Sequence, residues 1–458
     1  MQRIAEIETT QLEEVHHSSS DYPWGDQNPD IGNIENEQDR FRPCHYFDYI
    51  AGTSTGGLSA IMLGRLRMSV SQALASYVNF GNEVFGKARM WHGTSPFWYP
   101  RPKYSRAKTE TAIKALIAEQ LEMDPWDAKE ELFTTDEDQT RCQSPSGVGA
   151  IYLWRSYDHN TQEKGLDIQR LGDHRGADRT RIYEVARATS AAPSYFDPIE
   201  IKGSVHIDGA IRANNPSSRV ITEVWYKENY RVPALFLSIG TGKYIGANDA
   251  NAGRVQASRR RLTNDKGYKL SRMQTITSLF SMATGLVKQM TNAEEDVRPW
   301  EGLCEDVHRR GKQGNPNGRI EHWWHRLNVE NTRRAILLDE WFPKKARKGR
   351  SGGQDTLQFI ASLTNDYLSS EGMPEKINHI ARELVEKRRQ RVETERWERF
   401  ALKVSYPYHP ESLQHPQEFG TREELRTYLE MQHGTGAAIS PREVHEKLNG
   451  ARQVLRWY

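Results

Sequence analysis

The sequence predicts an α/β fold with a largely parallel sheet, on three observations. Apolar strand-like runs such as YFDYIAG (46–52) alternate with helical stretches, the pattern of layered α/β domains. A small-residue turn, Gly52-Thr53-Ser54-Thr55-Gly56, joins the first of these strands directly to a helix. A late run, PALFLSIGTGK (233–243), reads as an apolar strand ending in glycines.

Taken in order, residues 1–15 read as a helix with Ile4, Ile7 and Val15 near one face. Residues 16–43 are polar and rich in Ser, Asn, Asp and Pro, a long surface loop. After the 46–52 strand, GLSAIMLGRLRM is a helix with Leu58, Ile61, Met62 and Leu66 apolar. A second helix follows, with Ser69 or Ser71 as its N-cap. GVGAIYLWRSY (147–157) reads as a strand, and residues 181–201 as a helix stopped by Pro193 and followed by extended chain. SVHIDGAIRANNP (204–216) is a short strand breaking into a turn, and Ser218–Tyr226 a helix. Residues 1–245 thus form one α/β domain. Residues 246–342 form a linker and an amphipathic helix (269–290) packing on it. Residues 343–458 form a charged, mostly helical extension that includes a helix over 377–400.

With 458 residues, the chain has room for two or three domains. A net charge of +2 argues against strong bulk attraction to nucleic acid. Cys44, Cys142 and Cys304 are odd in number and widely spaced. They offer neither a metal spacing nor a disulfide framework, which favours a reducing compartment. No run approaches the ~18 apolar residues of a membrane span, and the first residues lack the apolar core of a signal peptide. The expected location is intracellular and cytoplasmic, touching a membrane from one side at most.

Placed between strand and helix, G-x-S-x-G forms a nucleophile elbow. The tight turn lifts the Ser54 hydroxyl above the sheet edge. Gly52, Thr55, Gly56 and Gly57 build the elbow, and the following helix turns its N-terminal N–H groups towards a developing oxyanion. The bland alternative is a glycine-rich turn that only joins two elements. A serine nucleophile also needs a base. Asp208 ends an apolar segment and is followed by Gly209 and Ala210, a turn that would project its carboxylate. On position alone it reads first as an ordinary turn aspartate. Among fifteen histidines, His206 has the best setting for a base, two residues from Asp208.

The set DYIAGTSTGGLSAIMLG, ARATSAAPSYFDPI and HIDGAIRANNP resembles the patatin-like phospholipases, in the form common in fungi. The resemblance covers roughly residues 1–245 and is weaker to about 342. It implies a three-layer α/β/α fold with a mostly parallel central sheet. It also implies a Ser–Asp dyad with Ser54 as nucleophile and Asp208 as general base, deacylating glycerolipid esters with no metal or other cofactor. In this family a glycine-rich D-G-G-G-x-R-G loop on the first strand supplies oxyanion donors. Here MQRIAEIE resembles the helix that follows that loop, and no D-G-G-G or G-G-x-R-G run occurs. The expectation is a domain truncated before the loop, with its first strand missing and its activity impaired. Loss of one oxyanion donor costs ~10²–10³ in rate.

Two alternatives stand beside the dyad enzyme: a catalytically impaired lipid-binding or regulatory relative, and a Ser-Asp-His esterase using His206. The expected partner is a lipid substrate. The 269–290 helix reads more readily as packed on the domain than as a lid or interfacial helix. The basic runs Arg259–Arg261 and Lys344–Arg350 read more readily as solvated charges than as lipid contacts, which leaves peripheral membrane contact as the lesser reading. SIGTG (238–242) lacks the Lys-Ser/Thr pair and spacing of a phosphate loop.

Overall fold

A computed structural model describes residues 1–14, 41–85, 93–94, 100–134, 140–146, 151–158, 177–229, 231–244, 323–331, 354–392, 404–408, 417–419, 422–432 and 441–451, with a few others between and after them. The amphipathic helix expected at 269–290, the linker before it, both basic runs and most of the 16–43 loop lie outside the described residues.

The N-terminal helix α1 (Gln2–Glu14) is followed by strand β1 (Tyr49–Ala51), helix α2 (Thr55–Ala60) and a π-turn at Ile61–Arg65. Next come α3 (Val70–Val84), the small hairpin β2 (Gly93–Thr94) and β3 (Pro100–Arg101), α4 (Arg106–Gln120) and α5 (Pro125–Ala128). The chain then forms β4 (Arg141–Ser146), β5 (Tyr152–Arg155), α6 (Ile182–Thr189), β6 (Ile199–Ile201), β7 (Ser204–His206) and α7 (Ala210–Ala213). Beyond it lie α8 (Ser217–Lys227), β8 (Phe236–Ile239), β9 (Lys243–Tyr244), β10 (Trp324–Leu327) and β11 (Glu330–Asn331). The chain continues through α9 (Gln354–Leu368), α10 (Met373–Val392), β12 (Val404–Tyr408), β13 (Gln417–Phe419), α11 (Arg422–Gln432), α12 (Pro441–Ala451) and β14 (Gln453–Val454).

Local chemistry accounts for the main boundaries. Of the two candidate caps for α3, the structure uses Ser69. Its Oγ accepts the Gln72 N–H at 3.1 Å, and Gln72 Oε1 accepts the Ser69 N–H at 2.9 Å, a reciprocal capping box. The helix expected from 181 to Pro193 stops at Thr189, because Ser190 leaves helical geometry and the chain turns through Ala191 and Ala192, and extended chain follows at Ile199–Ile201 as expected. The helix expected over 377–400 runs Met373–Val392.

The strand expected over 147–157 is Tyr152–Arg155, and its partner β4 has no counterpart among the predicted strands. The β4 sequence, RCQSPS, is polar and holds a proline, yet it lies between β1 and β5 and is almost wholly buried. It can do so because most of its polar groups find partners, as buried polar groups generally do, although Gln143 Oε1 has none. The Cys142 N–H donates to Ser156 Oγ at 2.9 Å, the Gln143 amide bonds the Tyr157 hydroxyl, and Ser144 Oγ donates to Gly52 O at 2.9 Å. Pro145, lacking an N–H, contributes a carbonyl that accepts from Thr189 Oγ1 at 3.1 Å.

Strands β1 and β4 pair in parallel, with Ile50 opposite Cys142, as do β8 with β10 and β9 with β11. The other pairs among the described residues are antiparallel, and the described strands form separate sheets of two or three strands. The α/β class holds, while the single, mostly parallel sheet expected from sequence is not traced through these residues. The main core joins Ile61, Met62, Ile113, Ile117, Phe133, Trp154 and Val185, where α2, the π-turn, α4 and α6 close on β4 and β5. A second cluster brings Ile4 and Ile7 of α1 against Ile380, Leu384 and Val385 of α10. A third, formed by Tyr406, Leu425, Leu429 and Leu448, belongs to α11, α12 and the antiparallel sheet β13-β12-β14, strands that the sequence reading of this region as mostly helical did not include.

Candidate active site

Strand β1 delivers the chain into Gly52-Thr53-Ser54, and α2 begins at the next residue. Ser54 has φ 57° and ψ −123°. A non-glycine residue rarely enters this region, and holding it there costs of order 1–3 kcal/mol. The flanking glycines make the turn sterically possible. A Cβ on Gly52 would lie 2.0 Å from Gly56 O, and one on Gly57 would lie 2.5 Å from Ser144 Oγ. Gly56 differs: a Cβ there would meet nothing within 4 Å, so packing does not require that glycine. Thr55 opens α2, with its N–H in the first turn, where helix geometry offers no intrahelical acceptor.

The structure brings Ser54 and Asp208 together from 154 residues apart: Ser54 Oγ donates to Asp208 Oδ2 at 2.6 Å. The other carboxylate oxygen, Oδ1, accepts the Ala210 N–H at 2.8 Å, closing the Asp208-Gly209-Ala210 turn. Asp208 is 1% exposed. That burial raises its pKa to about 7, against the opposing pull of the hydrogen bonds from Ser54 and the Ala210 N–H. A carboxylate poised near neutrality, in contact with a strained serine, is chemically suited to accept that serine's proton.

His206 lies elsewhere in the same fold. Its Nδ1 sits 3.1 Å from Ser146 Oγ, which also accepts from Trp154 Nε1 at 2.7 Å. The His206 ring is edge-on or tilted against Tyr152 and Trp154, and burial lowers its pKa. It thus holds β7 against β4, whereas the Asp208 carboxylate is bonded by Ser54 and the Ala210 N–H.

The sequence reading assigned no role to Ser144, Pro145 and Thr189, which border the elbow. The signal for Thr189 was present in the quoted A-T-S-A-A-P run, but no spacing rule links it to Ser54. Ser144 and Pro145 sit on the strand that polarity concealed.

A family model described as patatin-like phospholipase matches residues 39–220, a span that contains both Ser54 and Asp208. Calcium-independent phospholipase A2-gamma of Rattus norvegicus is 28% identical over 211 residues, covering 44% of this chain and 25% of the relative. Phospholipase A I of Arabidopsis thaliana is 24% identical over 252 residues, covering 45% and 19%. Patatin-like protein 4 of Arabidopsis thaliana is 25% identical over 226 residues, covering 46% and 50%. The chain spans 25% of the length of the phospholipase A2-gamma relatives and half of the last. Residues 39–220 of this chain thus carry a patatin-like phospholipase domain.

Proposed function

We propose that this protein is a lipid acyl hydrolase in which Ser54 is the nucleophile and Asp208 the general base. The 2.6 Å bond from the strained Ser54 hydroxyl to a buried carboxylate carries the reading. As Ser54 Oγ attacks an ester carbonyl, its proton passes to Asp208 Oδ2. The tetrahedral intermediate collapses to an acyl-enzyme, and Asp208 returns the proton to the leaving alcohol. Water, deprotonated by the same carboxylate, then attacks the acyl carbon and releases the fatty acid and Ser54. The Thr55 N–H at the start of α2 is an oxyanion donor in this scheme. Relatives named as phospholipases favour phospholipid esters as the substrate class.

The finer architecture belongs to the same proposal. The parallel pairs β1/β4 and β8/β10 are parts of one central layer, supported by Phe47, just before β1, and Leu237 of β8 sharing one apolar cluster with α1 and α10. Peripheral membrane contact and a cytoplasmic location are part of it too. Among the described residues no helix is long and apolar enough to cross a membrane.

Fluorophosphonate labelling and ester hydrolysis test the proposal together. Wild type should label once per chain, Ser54→Ala should neither label nor turn over, and Asp208→Asn should lose ~10²–10⁴ in rate. Label on a residue other than Ser54, or hydrolysis that survives Ser54→Ala, would refute it.

A further inference from the structure

We propose that Thr189 is the positioning residue of this site, fixing the nucleophile and the base to one another; the proposal rests on the reading of Ser54 and Asp208 above. Thr189 is the last residue of α6 and is fully buried. Its side chain faces the elbow. The Ser54 N–H donates to Thr189 Oγ1 at 3.1 Å, and Thr189 Oγ1 in turn donates to Pro145 O at 3.1 Å. Ser144 Oγ lies 2.7 Å from the same oxygen. The Thr189 main chain faces the other way. Its carbonyl accepts the Gly209 N–H at 3.3 Å, and two residues on, Ala191 O accepts the Asp208 N–H at 3.0 Å.

One short segment therefore holds both halves of the dyad, the nucleophile through a hydroxyl and the base through two carbonyls. The hydroxyl matters because Ser54 sits at φ 57°. In that conformation its N–H meets the fully buried Thr189 Oγ1, at a place where an unsatisfied donor is costly. Thr189 Oγ1 is the acceptor that keeps it there. The elbow closes tightly around this bond: a Cβ on Gly57 would lie 2.7 Å from Thr189 Oγ1. Without the acceptor, the cheapest relief is rotation of the Ser54 peptide out of the left-handed region. That rotation carries Oγ away from Asp208 Oδ2.

Thr189→Val keeps the shape and removes the hydroxyl; Thr189→Ser keeps the hydroxyl. Misplacement of a reacting group by about 1 Å costs about 10² in rate. Thr189→Val should therefore lose about that factor in kcat and in the fluorophosphonate labelling rate of Ser54, with KM within about threefold. Thr189→Ser should stay within about threefold of wild type on both, and the pH at which Asp208 titrates in the rate profile should not move. A crystal structure of Thr189→Val should show Ser54 outside the left-handed region and its Oγ beyond hydrogen-bond reach of Asp208. Thr189→Ala, equally lacking the hydroxyl, gives the same readouts if the valine variant does not fold. The proposal is overturned if the valine variant labels at the wild-type rate, if the serine variant is equally slow, or if Ser54 is unmoved in the variant crystal. A wild type that never labels, together with a displaced Ser54 in Thr189→Val, would sink the hydrolase reading and leave the positioning role standing.

Discussion

Asp208 joins geometry to titration. Burial raises its pKa to about 7, so near neutral pH it divides between an acid that cannot take the Ser54 proton and a carboxylate that can. Hydrolysis should therefore climb with pH through about 7 and level off above it, and a kcat/KM profile that is flat from acid to alkaline pH would contradict the assignment. The same shift has a stability sign. The folded state holds its proton to higher pH than the unfolded chain does, so the group disfavours folding once pH exceeds the ordinary aspartate value of about 3.9, increasingly up to about 7, and by a constant amount beyond. Asp208→Asn should accordingly raise the melting temperature at pH 8 and leave it nearly unchanged near pH 4. Thermal melts at the two pH values check this, and equal shifts at both would count against a buried, raised carboxyl.

At the scale of the element, the β1–α2 turn that holds Ser54 is closely packed at Gly52 and Gly57 and open at Gly56. Gly52 lies against the Gly56 carbonyl, 2.0 Å from where a Cβ would sit, and a backbone atom cannot swing aside as a side chain can. Gly52→Ala should open the elbow and suppress labelling of Ser54 by about 10² or more. Gly56→Ala, facing open space, should leave the fold intact, and any loss it causes would report crowding of the substrate. Similar stability losses in the two variants, measured by urea denaturation, would contradict this contrast. The polar strand β4 is the second determinant at this scale. Its Ser144 and Pro145 reach the elbow through bonds to Gly52 and to Thr189 of α6.

Across the whole molecule, the N-terminal helix α1 and helix α10 are clasped by charge. Glu8 of α1, 1% exposed, accepts both Nε and Nη2 of Arg388 in α10, at 2.6 and 2.8 Å, and also bonds Arg389 and the Tyr46 hydroxyl. The contact crosses the boundary between the first and last regions expected from sequence. Removing one partner of such a pair strands a buried charge. Glu8→Ala should cost ~3–5 kcal/mol, whereas a matched apolar replacement of Glu8 and Arg388 should recover much of it. Denaturant titration of the single and double variants checks both statements. A loss under 1 kcal/mol for Glu8→Ala would mean that the α1–α10 contact contributes little to the fold.

The sequence by itself determined the α/β class, the patatin-like domain, the Ser54 turn and the Asp208 turn. Each is a local pattern: a strand ending in glycine and serine, or an Asp-Gly after an apolar run. Tertiary structure alone decided what these patterns mean together. The bond between Ser54 and Asp208 spans 154 residues, and the Thr189 hydroxyl reaches Ser54 across 135. Long-range proximity leaves no mark in composition or period. The strand β4 escaped notice for the complementary reason: hydrophobic alternation marks strands that bury apolar side chains, and this one buries polar groups whose partners lie on other elements. Position favoured Asp208, at the end of an apolar segment, over His206 as the base, but with the two only two residues apart the sequence kept both readings. The direction each side chain takes, towards Ser146 or towards Ser54, is set by the strands and helices packed around them.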